Sequence, residues 1–591
     1  MTARVTRSTT IFAHAFNNYL QYRLTQITMG TLLGLADELI DQILAEVKWG
    51  SPTTPPPAAF DVLQFYERLA QDTASIQSVR LTCRRLYSRT SALLLPAASV
   101  SISDPSSIDR LEQIAGHGAF APHVKAVRVA FNFYEADLAA DARKLAAYLL
   151  HIWRESSLLT GPMWSRVFDD WDAFCHVEEA AHDPKDEEQR GDSESIQLLS
   201  SLHLEYQRRY EAQKPCLALS GIRRIASAMA RMPRATRLVL DDGPDAPHGP
   251  NSCLDTEAAA TATATPLAER ELSWLVAPTR WTTAFKLGRN TPPIEALFSF
   301  PAAVHKAGVE LTGFRIHRLG IPGEFPIWWL EKSLHRTGPP PREVSELREA
   351  CRALRVFEVT PDYGPRCCTT ARPTVYDWPR RSRSWLWHLP VGQLFEWMTT
   401  AANGLTHIHV DVQTNELSYA SYDLSEKLVR PWPWPHLQVF HQKDGYLNRD
   451  VLAELLAATP GTLAELYLDD LDLGWPREGV AWTYYLDELR AQCCRTASSR
   501  AATGRCPLTV RLRRPRGAEF YPGVLPKSEV ENLLSLFDSV GDDGFSAVDR
   551  FLNGLSDRNP MAEAARTPLY SWTRERTPDG SEFAVLEFKY R

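Results

Sequence analysis

Apolar residues recur along this chain in short runs of the form apolar-x-x-apolar-x-apolar. The alternation in the second half of each run is the period of a β-strand with one buried face. Amphipathic helical patterns precede several runs, as in 391–404, where the apolar residues fall at helical spacing. In one register, the predicted strands end at Ile102, Val129, Leu240, Ile316, Val359, Val410, Gln442, Leu468 and Leu512.

One helix and one strand cannot bury their own apolar stripe, so such units must stack into a continuous core. We therefore predict an α/β fold in which parallel strands form one sheet and helices cover its other face. The recurring LxxLxL strand, clearest in 463–473, resembles the leucine-rich-repeat family in its irregular form. That resemblance implies a solenoid with a concave sheet and convex helices. An ordinary α/β domain with the same pattern is the alternative.

Two segments near the N-terminus have a wider apolar surface than a small core requires. In 32–47, the aliphatic residues cover more than half of the helix circumference; in 75–95, they form a stripe beside several arginines. We expect part of this surface to remain exposed until a partner covers it. The residues concerned are Leu35, Leu39, Ile40, Ile43 and Leu44 in the first segment, and Val79, Leu81, Cys83 and Leu86 in the second.

These segments resemble an F-box, the module that binds the Skp adaptor of cullin-RING ubiquitin ligases. Leu35, Glu38, Leu39, Ile43 and Leu44 match its first half, and 81–87 is similar to its second half in fungal F-box-like proteins. The chain differs from the family pattern at Ala36, where Pro is usual, and in the insertion between the halves. The alternative is that both helices only cap the end of the repeat array.

The predicted domains follow from these patterns. They are a tail or extra helix at 1–31, an F-box-like α-helical domain at 32–95 with a Pro-containing insertion at 48–74, a degenerate leucine-rich-repeat region at 96–515, and a C-terminal cap or extension at 516–591. Polar or low-complexity insertions are expected near 178–195, 241–270 and 361–383, because they carry too little apolar surface to offset chain entropy.

Composition narrows the function classes. The net charge of -7 offers no basic face for nucleic acid. The ten cysteines include no CxxC, which favours a reducing compartment, and no apolar run is long enough to cross a bilayer. We therefore expect a cytoplasmic or nuclear protein that binds neither membrane nor nucleic acid. The Arg- and Ser/Thr-containing segment 1–36 leaves a mitochondrial targeting peptide as an alternative.

The sequence contains no nucleotide-binding loop, nucleophile elbow or HExxH motif, so we expect no enzyme, no cofactor and no metal. His407, His409 and Asp411 have the spacing of a metallohydrolase site, which leaves a metal-dependent hydrolase as a remote alternative. The Trp432 and Trp434 segment is interpreted as a packed loop, with a peptide- or sugar-binding platform as the alternative.

In the predicted register, one residue of each strand lies between two inward apolar residues. This row is substantially polar, and its Arg, His and Tyr side chains are typical of protein-binding surfaces. The resemblances together imply a substrate receptor that binds the Skp adaptor and an unknown protein target; a scaffold without ligase function is the alternative. The row contains Ser101 and Val239, and its candidate target-binding residues are Arg128, Arg315, Glu358, His409, His441, Tyr467 and Arg511.

Overall fold

The structure is a computed structural model that falls into two compact units, 1–97 with 117–124, and 98–116 with 125–591. It describes residues 40, 90, 95, 97–155, 162–176, 194–242, 275–281, 284, 295–317, 324–326, 342–360, 388–390, 397–411, 434–443, 449–473, 482–502, 504, 507–520, 527–541, 544–564, 570–576 and 582–588. None of the helices within these ranges is both long and apolar enough to cross a membrane.

Within the described ranges, nine strands form one parallel sheet, which is the dominant feature of the second unit. Their order across the sheet is β1-β2-β3-β4-β6-β8-β9-β10-β11. Neighbours in this sheet therefore follow chain order, as expected when each strand is the next repeat of an array. The strands are β1 Ala97–Ser101, β2 Ala126–Ala130, β3 Arg237–Asp241, β4 Gly313–His317, β6 Val356–Thr360, β8 His407–Asp411, β9 Val439–Lys443, β10 Glu465–Asp469 and β11 Thr509–Arg513.

Two short antiparallel pairs lie outside this sheet. One joins β5 Glu324–Pro326 to β7 His388–Pro390, and the other joins β12 Tyr570–Arg576 to β13 Glu582–Phe588. The prediction of an α/β fold with a parallel sheet is confirmed.

Helices connect the strands and pack against one another in chain order. α1 contacts α6, α6 contacts α7, and α7 contacts α8; further along, α9 contacts α10 and α10 contacts α12. The helices are α1 Pro105–Gly116, α2 Ala136–Ala140, α3 Ala142–Glu155, α4 Pro162–His176, α5 Glu194–Leu217, α6 Leu219–Ala230, α7 Glu295–Lys306, α8 Arg342–Cys351, α9 Arg449–Ala458, α10 Trp482–Ala502, α11 Lys527–Asp538, α12 Ala547–Leu552 and α13 Pro560–Ala564.

The interior of the sheet follows the predicted alternation. Pairs such as Val127 and Val129, or Leu466 and Leu468, are at most 1% exposed and share one face of the sheet. The connecting helices cover this face, because successive parallel strands return through crossovers on the same side. Burying one fully apolar strand pair of this kind stabilises the fold by roughly 3–6 kcal/mol.

A helical bundle fills the long interval between β2 and β3. Helices α2 to α5 surround a core that includes Leu145, Leu149, Trp171, Leu199 and Tyr206. The residues that the structure describes in this interval form the bundle and add no strand to the sheet. The acidic insertion lies outside the described residues except at Glu194 and Ser195, the first two residues of α5. Asp241, placed by sequence at the start of an insertion, is the last residue of β3.

Buried tryptophans link segments that flank neighbouring strands of the sheet. The Trp281 indole nitrogen donates to the Phe131 carbonyl at 2.8 Å, and its backbone amide donates to Asp242 at 2.7 Å. Trp482 has the same arrangement: its indole nitrogen donates to the Arg516 carbonyl, and its backbone amide donates to the Glu519 carboxylate. Trp434 is 1% exposed and donates to the Thr399 carbonyl, so it is a packing residue; Trp432 lies outside the described residues.

The C-terminal region covers the last strand with side chains. Asn553 exchanges two hydrogen bonds with the backbone of Val510, at 2.8 and 2.7 Å. Asp549 accepts from the Leu512 amide at 2.9 Å, and a capping box with Ser546 fixes the start of α12. These contacts satisfy backbone groups that an edge strand otherwise exposes.

Candidate functional site

The predicted row of residues is continuous across eight strands. Strand pairing places each residue of the row directly beside the next one. In order across the sheet, they are Arg128, Val239, Arg315, Glu358, His409, His441, Tyr467 and Arg511. We call these residues the middle row. Ser101 does not continue it, because the Ile102 amide bonds the Ala130 carbonyl and thus puts Ser99 beside Arg128.

Two residues further along each strand, a second row lies on the same face. It contains Asp241, His317, Thr360, Asp411, Lys443, Asp469 and Arg513, and we call it the last row. The face that carries both rows, opposite the helices, is the polar face. The period of two along each strand, which predicted the middle row, also predicts that the residues of the last row share its face.

Ion pairs join side chains between the two rows and within the last row. Arg128 contacts Asp241 at 2.9 Å, and Asp241 is almost completely buried. Lys443 contacts Asp411 at 2.7 Å, and the Asp411 side chain is also buried. A buried carboxylate without a cation is costly, so these arginine and lysine residues stabilise the face as well as charge it.

Arg315 is the centre of the most buried cluster. Its guanidinium donates to His317 Nδ1 at 3.0 Å and lies 3.2 Å from the Thr360 hydroxyl. Because a guanidinium cannot accept, Nδ1 is the acceptor and the His317 proton resides on Nε2, which lies 3.9 Å from the Asp241 carboxylate. The cluster therefore fixes the tautomer of His317.

Glu358 lies beside Arg315, with a nitrogen–oxygen distance of 3.5 Å. Burial raises the pKa of Glu358 to about 7, because desolvation outweighs the attraction of Arg315 and Arg237. Arg315 is 9% exposed and Glu358 is 4% exposed. Both side chains are thus enclosed by this chain, and we exclude them from the surface available to a target.

Aromatic side chains continue the middle row beyond Glu358. The rings of His409 and His441 stack with their centroids 4.1 Å apart, and His441 lies 5.6 Å from Tyr467. Burial lowers the pKa of His441 to about 4. Burial also lowers the pKa of His409 well below its ordinary value, and the neighbouring His441 adds to that decrease. Both rings are therefore neutral at neutral pH.

The stacked histidines predict a loss of stability on acidification. Their pKa values are lower in the folded chain than in the unfolded one, so their contribution is complete above pH of about 6.5 and is lost as the pH falls toward about 4. Between pH 7 and pH 5, the free energy of unfolding should decrease in both proteins. The decrease should be smaller by on the order of 2 kcal/mol in His441→Phe, which keeps an aromatic ring, than in the wild type. Urea unfolding at each pH measures the difference.

Glu358 should change stability with pH in the opposite sense from the two histidines. Its pKa is raised on folding, so its contribution is present below the unfolded value and is lost as the pH rises through about 7. Glu358 thus lowers the free energy of unfolding of the wild type as the pH rises from 4.5 to 7. Glu358→Gln should lack this decrease. Identical profiles for wild type and His441→Phe would show that the histidine pair does not titrate as described.

The far end of the middle row has a different chemistry. Burial raises the pKa of Tyr467 to about 12, and the hydrogen bond that its hydroxyl donates to Glu465 at 2.8 Å adds to this increase. The Arg511 guanidinium lies over two rings, 5.9 Å from the centroid of Tyr467 and 5.6 Å from that of Phe545. Phe545 comes from the C-terminal region, and no local pattern connected it with the row.

His407, His409 and Asp411 all lie on the polar face, as the strand period requires. Their neighbours explain them without a metal: His409 stacks on His441, and Asp411 holds Lys443. Within the described ranges, no group of three or more His, Cys, Asp or Glu side chains is arranged to hold a metal ion.

Most of the predicted adaptor-binding surface lies outside the described residues. This holds for Leu35, Leu39, Ile43, Leu44, Val79, Leu81, Cys83 and Leu86. Ile40 is described: it is helical and 1% exposed. Its side chain is enclosed by this chain alone, so we leave Ile40 out of the surface proposed for the adaptor.

Fold and site together define an α/β protein whose parallel sheet presents a continuous polar face. No family model matches the chain, and neither a curated protein nor a solved structure matches it. The resemblances to the F-box and leucine-rich-repeat families stay predictions.

Proposed function

We propose that this chain is a substrate receptor of a Skp-cullin-F-box ubiquitin ligase, with an irregular leucine-rich-repeat body. The F-box-like segments bind the Skp adaptor, and the polar face binds a protein target. The chain itself carries no catalytic residue; it holds the target close to the partner subunits that transfer ubiquitin.

The observation that best supports target binding is the aligned middle row. Across eight strands it presents arginine, histidine and tyrosine side chains at a regular interstrand spacing of roughly 4.8 Å. These residue types dominate the energetics of protein interfaces. Arg128, His441, Tyr467 and Arg511 are partly exposed and remain available to a target, whereas Arg315 and Glu358 of the same row are buried.

Support for adaptor binding comes from the sequence of the two N-terminal segments. Leu35, Leu39, Ile43 and Leu44 recur at the F-box spacing, and a second aliphatic stripe follows between Val79 and Leu86. Short helices of this size cannot enclose so many aliphatic side chains, so a partner protein covers the remainder. Helices that are ordered before binding lose little conformational entropy on association.

Co-expression with a Skp-type adaptor tests the first interaction. The wild-type chain is expected to co-purify with the adaptor. The double substitution Leu39→Asp with Ile43→Asp is expected to reduce recovery at least about tenfold, because two carboxylates are then desolvated at the interface.

Gln42→Asp is the matched control, since it adds a carboxylate to the same segment at a position that is already polar. It should co-purify like the wild type. Undiminished recovery of the double variant contradicts the proposed adaptor surface.

A scaffold that uses the same hook without ligase activity is the second candidate. Accumulation of the bound target in a deletion strain distinguishes the two, because only a ligase receptor limits the lifetime of its target. A target whose half-life is the same with and without the chain favours the scaffold.

A further inference from the structure

We infer that Arg511 is the anchor point of the polar face for a carboxylate of the bound protein. This inference rests on the proposed role of the face in target binding and names the chemistry of the target. Arg511 would contact the carboxylate of the bound protein directly, whereas the ion pairs elsewhere on the face join residues of this chain to one another.

The position of the guanidinium is fixed by its neighbours. Arg511 lies in β11 beside Tyr467 of β10, and the rings of Tyr467 and Phe545 both lie within 6 Å of its central carbon. Cation–π contacts of this kind use the flat faces of the guanidinium and leave its edge free for hydrogen bonds. An arginine held in this way loses little further side-chain freedom when it binds a ligand.

Arg511 also differs from the other cations of the two rows. Arg128 pairs with Asp241, Lys443 pairs with Asp411, and Arg513 contacts both Asp549 and the Phe537 carbonyl. Arg315 has Glu358, Thr360 and His317. In the described part of the chain, Arg511 has only the two ring contacts.

The hydrogen-bonding capacity of Arg511 is unused in this state. Its Nε is buried and has no hydrogen-bond partner, although guanidinium groups in folded proteins are usually satisfied. A ligand carboxylate at the edge formed by the two terminal guanidinium nitrogens would neutralise the charge and form two parallel, charge-assisted bonds. The half-buried surroundings strengthen such bonds, because the effective dielectric constant is lower than in water.

A carboxylate suits this position better than a phosphate. Phosphate recognition normally gathers several free cations, whereas the nearest cation of the last row, Arg513, is already held by Asp549. Glu465 lies on the neighbouring strand and binds the Tyr467 hydroxyl, which adds one negative charge to the vicinity. A single-charge ligand tolerates that neighbour more readily than a doubly charged one.

Fluorescence anisotropy with labelled peptide pools tests the inference on the full chain. The pools have degenerate flanks and a fixed central Glu, Gln or phosphoserine, all with amidated C-termini; a fourth pool has central Gln and a free C-terminal carboxylate. We expect the Glu pool, the free-carboxylate pool or both to bind at least about tenfold more tightly than the amidated Gln pool. The stronger of the two identifies the source of the carboxylate.

Arg511→Gln should abolish this preference, and Arg511→Lys should keep only part of it, because an ammonium cannot form the bidentate contact. Arg342→Gln, in α8 and outside both rows, is the matched control and should keep the preference, because this arginine is 81% exposed and already pairs with Glu346. Adaptor co-purification of Arg511→Gln should equal that of the wild type, so a failure at Arg511 is separable from a failure of the adaptor surface.

Equal affinity for the Glu, free-carboxylate and amidated Gln pools would overturn the inference, as would a preference that survives Arg511→Gln. Tightest binding of the phosphoserine pool would overturn the assignment of a carboxylate. Absence of measurable binding by every pool would also count against it.

Discussion

Trp281→Ala is expected to lower the free energy of unfolding by about 3–5 kcal/mol, which is the usual range for removing a large buried aromatic side chain. Trp281 is 0% exposed and packs edge-on against Phe131 at a centroid distance of 5.7 Å. The substitution leaves a cavity and also removes the donor to the Phe131 carbonyl. Urea unfolding monitored by circular dichroism measures the decrease in the free energy of unfolding. Hydrogen exchange shows whether the amides of β2 and β3 lose protection.

Tyr484→Ala is the matched control for Trp281→Ala, because this aromatic side chain is 63% exposed. Its effect should remain within about 0.5 kcal/mol, as is usual for exposed positions. Trp281→Phe should fall between the two, since it fills most of the volume but leaves the Phe131 carbonyl without its indole donor. Equal stability of Trp281→Ala and the wild type would contradict the proposed link between segments that flank neighbouring strands.

Asp549→Ala is expected to destabilise the C-terminal end of the sheet by about 3–5 kcal/mol, the range seen when one partner of a buried ion pair is removed. The Asp549 side chain is fully buried and contacts Arg513 at 3.2 Å. It also accepts from the backbone amides of Leu512 and Ser546. Asp549→Asn should be destabilising too, because its amide nitrogen would face donors that require an acceptor.

Asp557→Ala is the comparison for Asp549→Ala. Asp557 also pairs with an arginine, Arg490, but its side chain is 99% exposed. Such a surface pair contributes about 0–1 kcal/mol, so little change in the unfolding midpoint is expected. A loss at Asp549 no larger than that at Asp557 would show that burial of the carboxylate does not matter here.

The strands were predictable because their signal is local. Pairs such as Val127 and Val129 flank a polar residue within a few positions of sequence, and the alternation directly states which residues share a face. Reading all strands in one register then predicted the neighbours in the middle row from β2 onward. The exception was β1, where two serines follow the same local pattern and only backbone pairing distinguishes Ser99 from Ser101.

The chemistry of the face was less predictable because it depends on distant residues. Nothing near Arg511 in sequence indicates that Phe545 contacts it, and the pairing of Arg128 with Asp241 spans 113 positions. The bundle between β2 and β3 was also missed, since its amphipathic helices carry the same period as the helices of a repeat. Burial of Glu358 and Arg315 likewise required the surrounding structure, because their strand pattern alone predicted an accessible row.

The side chains of Asn553 and Asp549 have a consequence for assembly. They occupy the backbone groups of Val510 and Leu512 that an incoming strand would otherwise use. At this end, growth by β-augmentation, either from a peptide ligand or from a second copy of the chain, would first have to displace α12. The sheet therefore cannot be extended at β11 while α12 is in place. Recognition at this end depends on the side chains of the polar face.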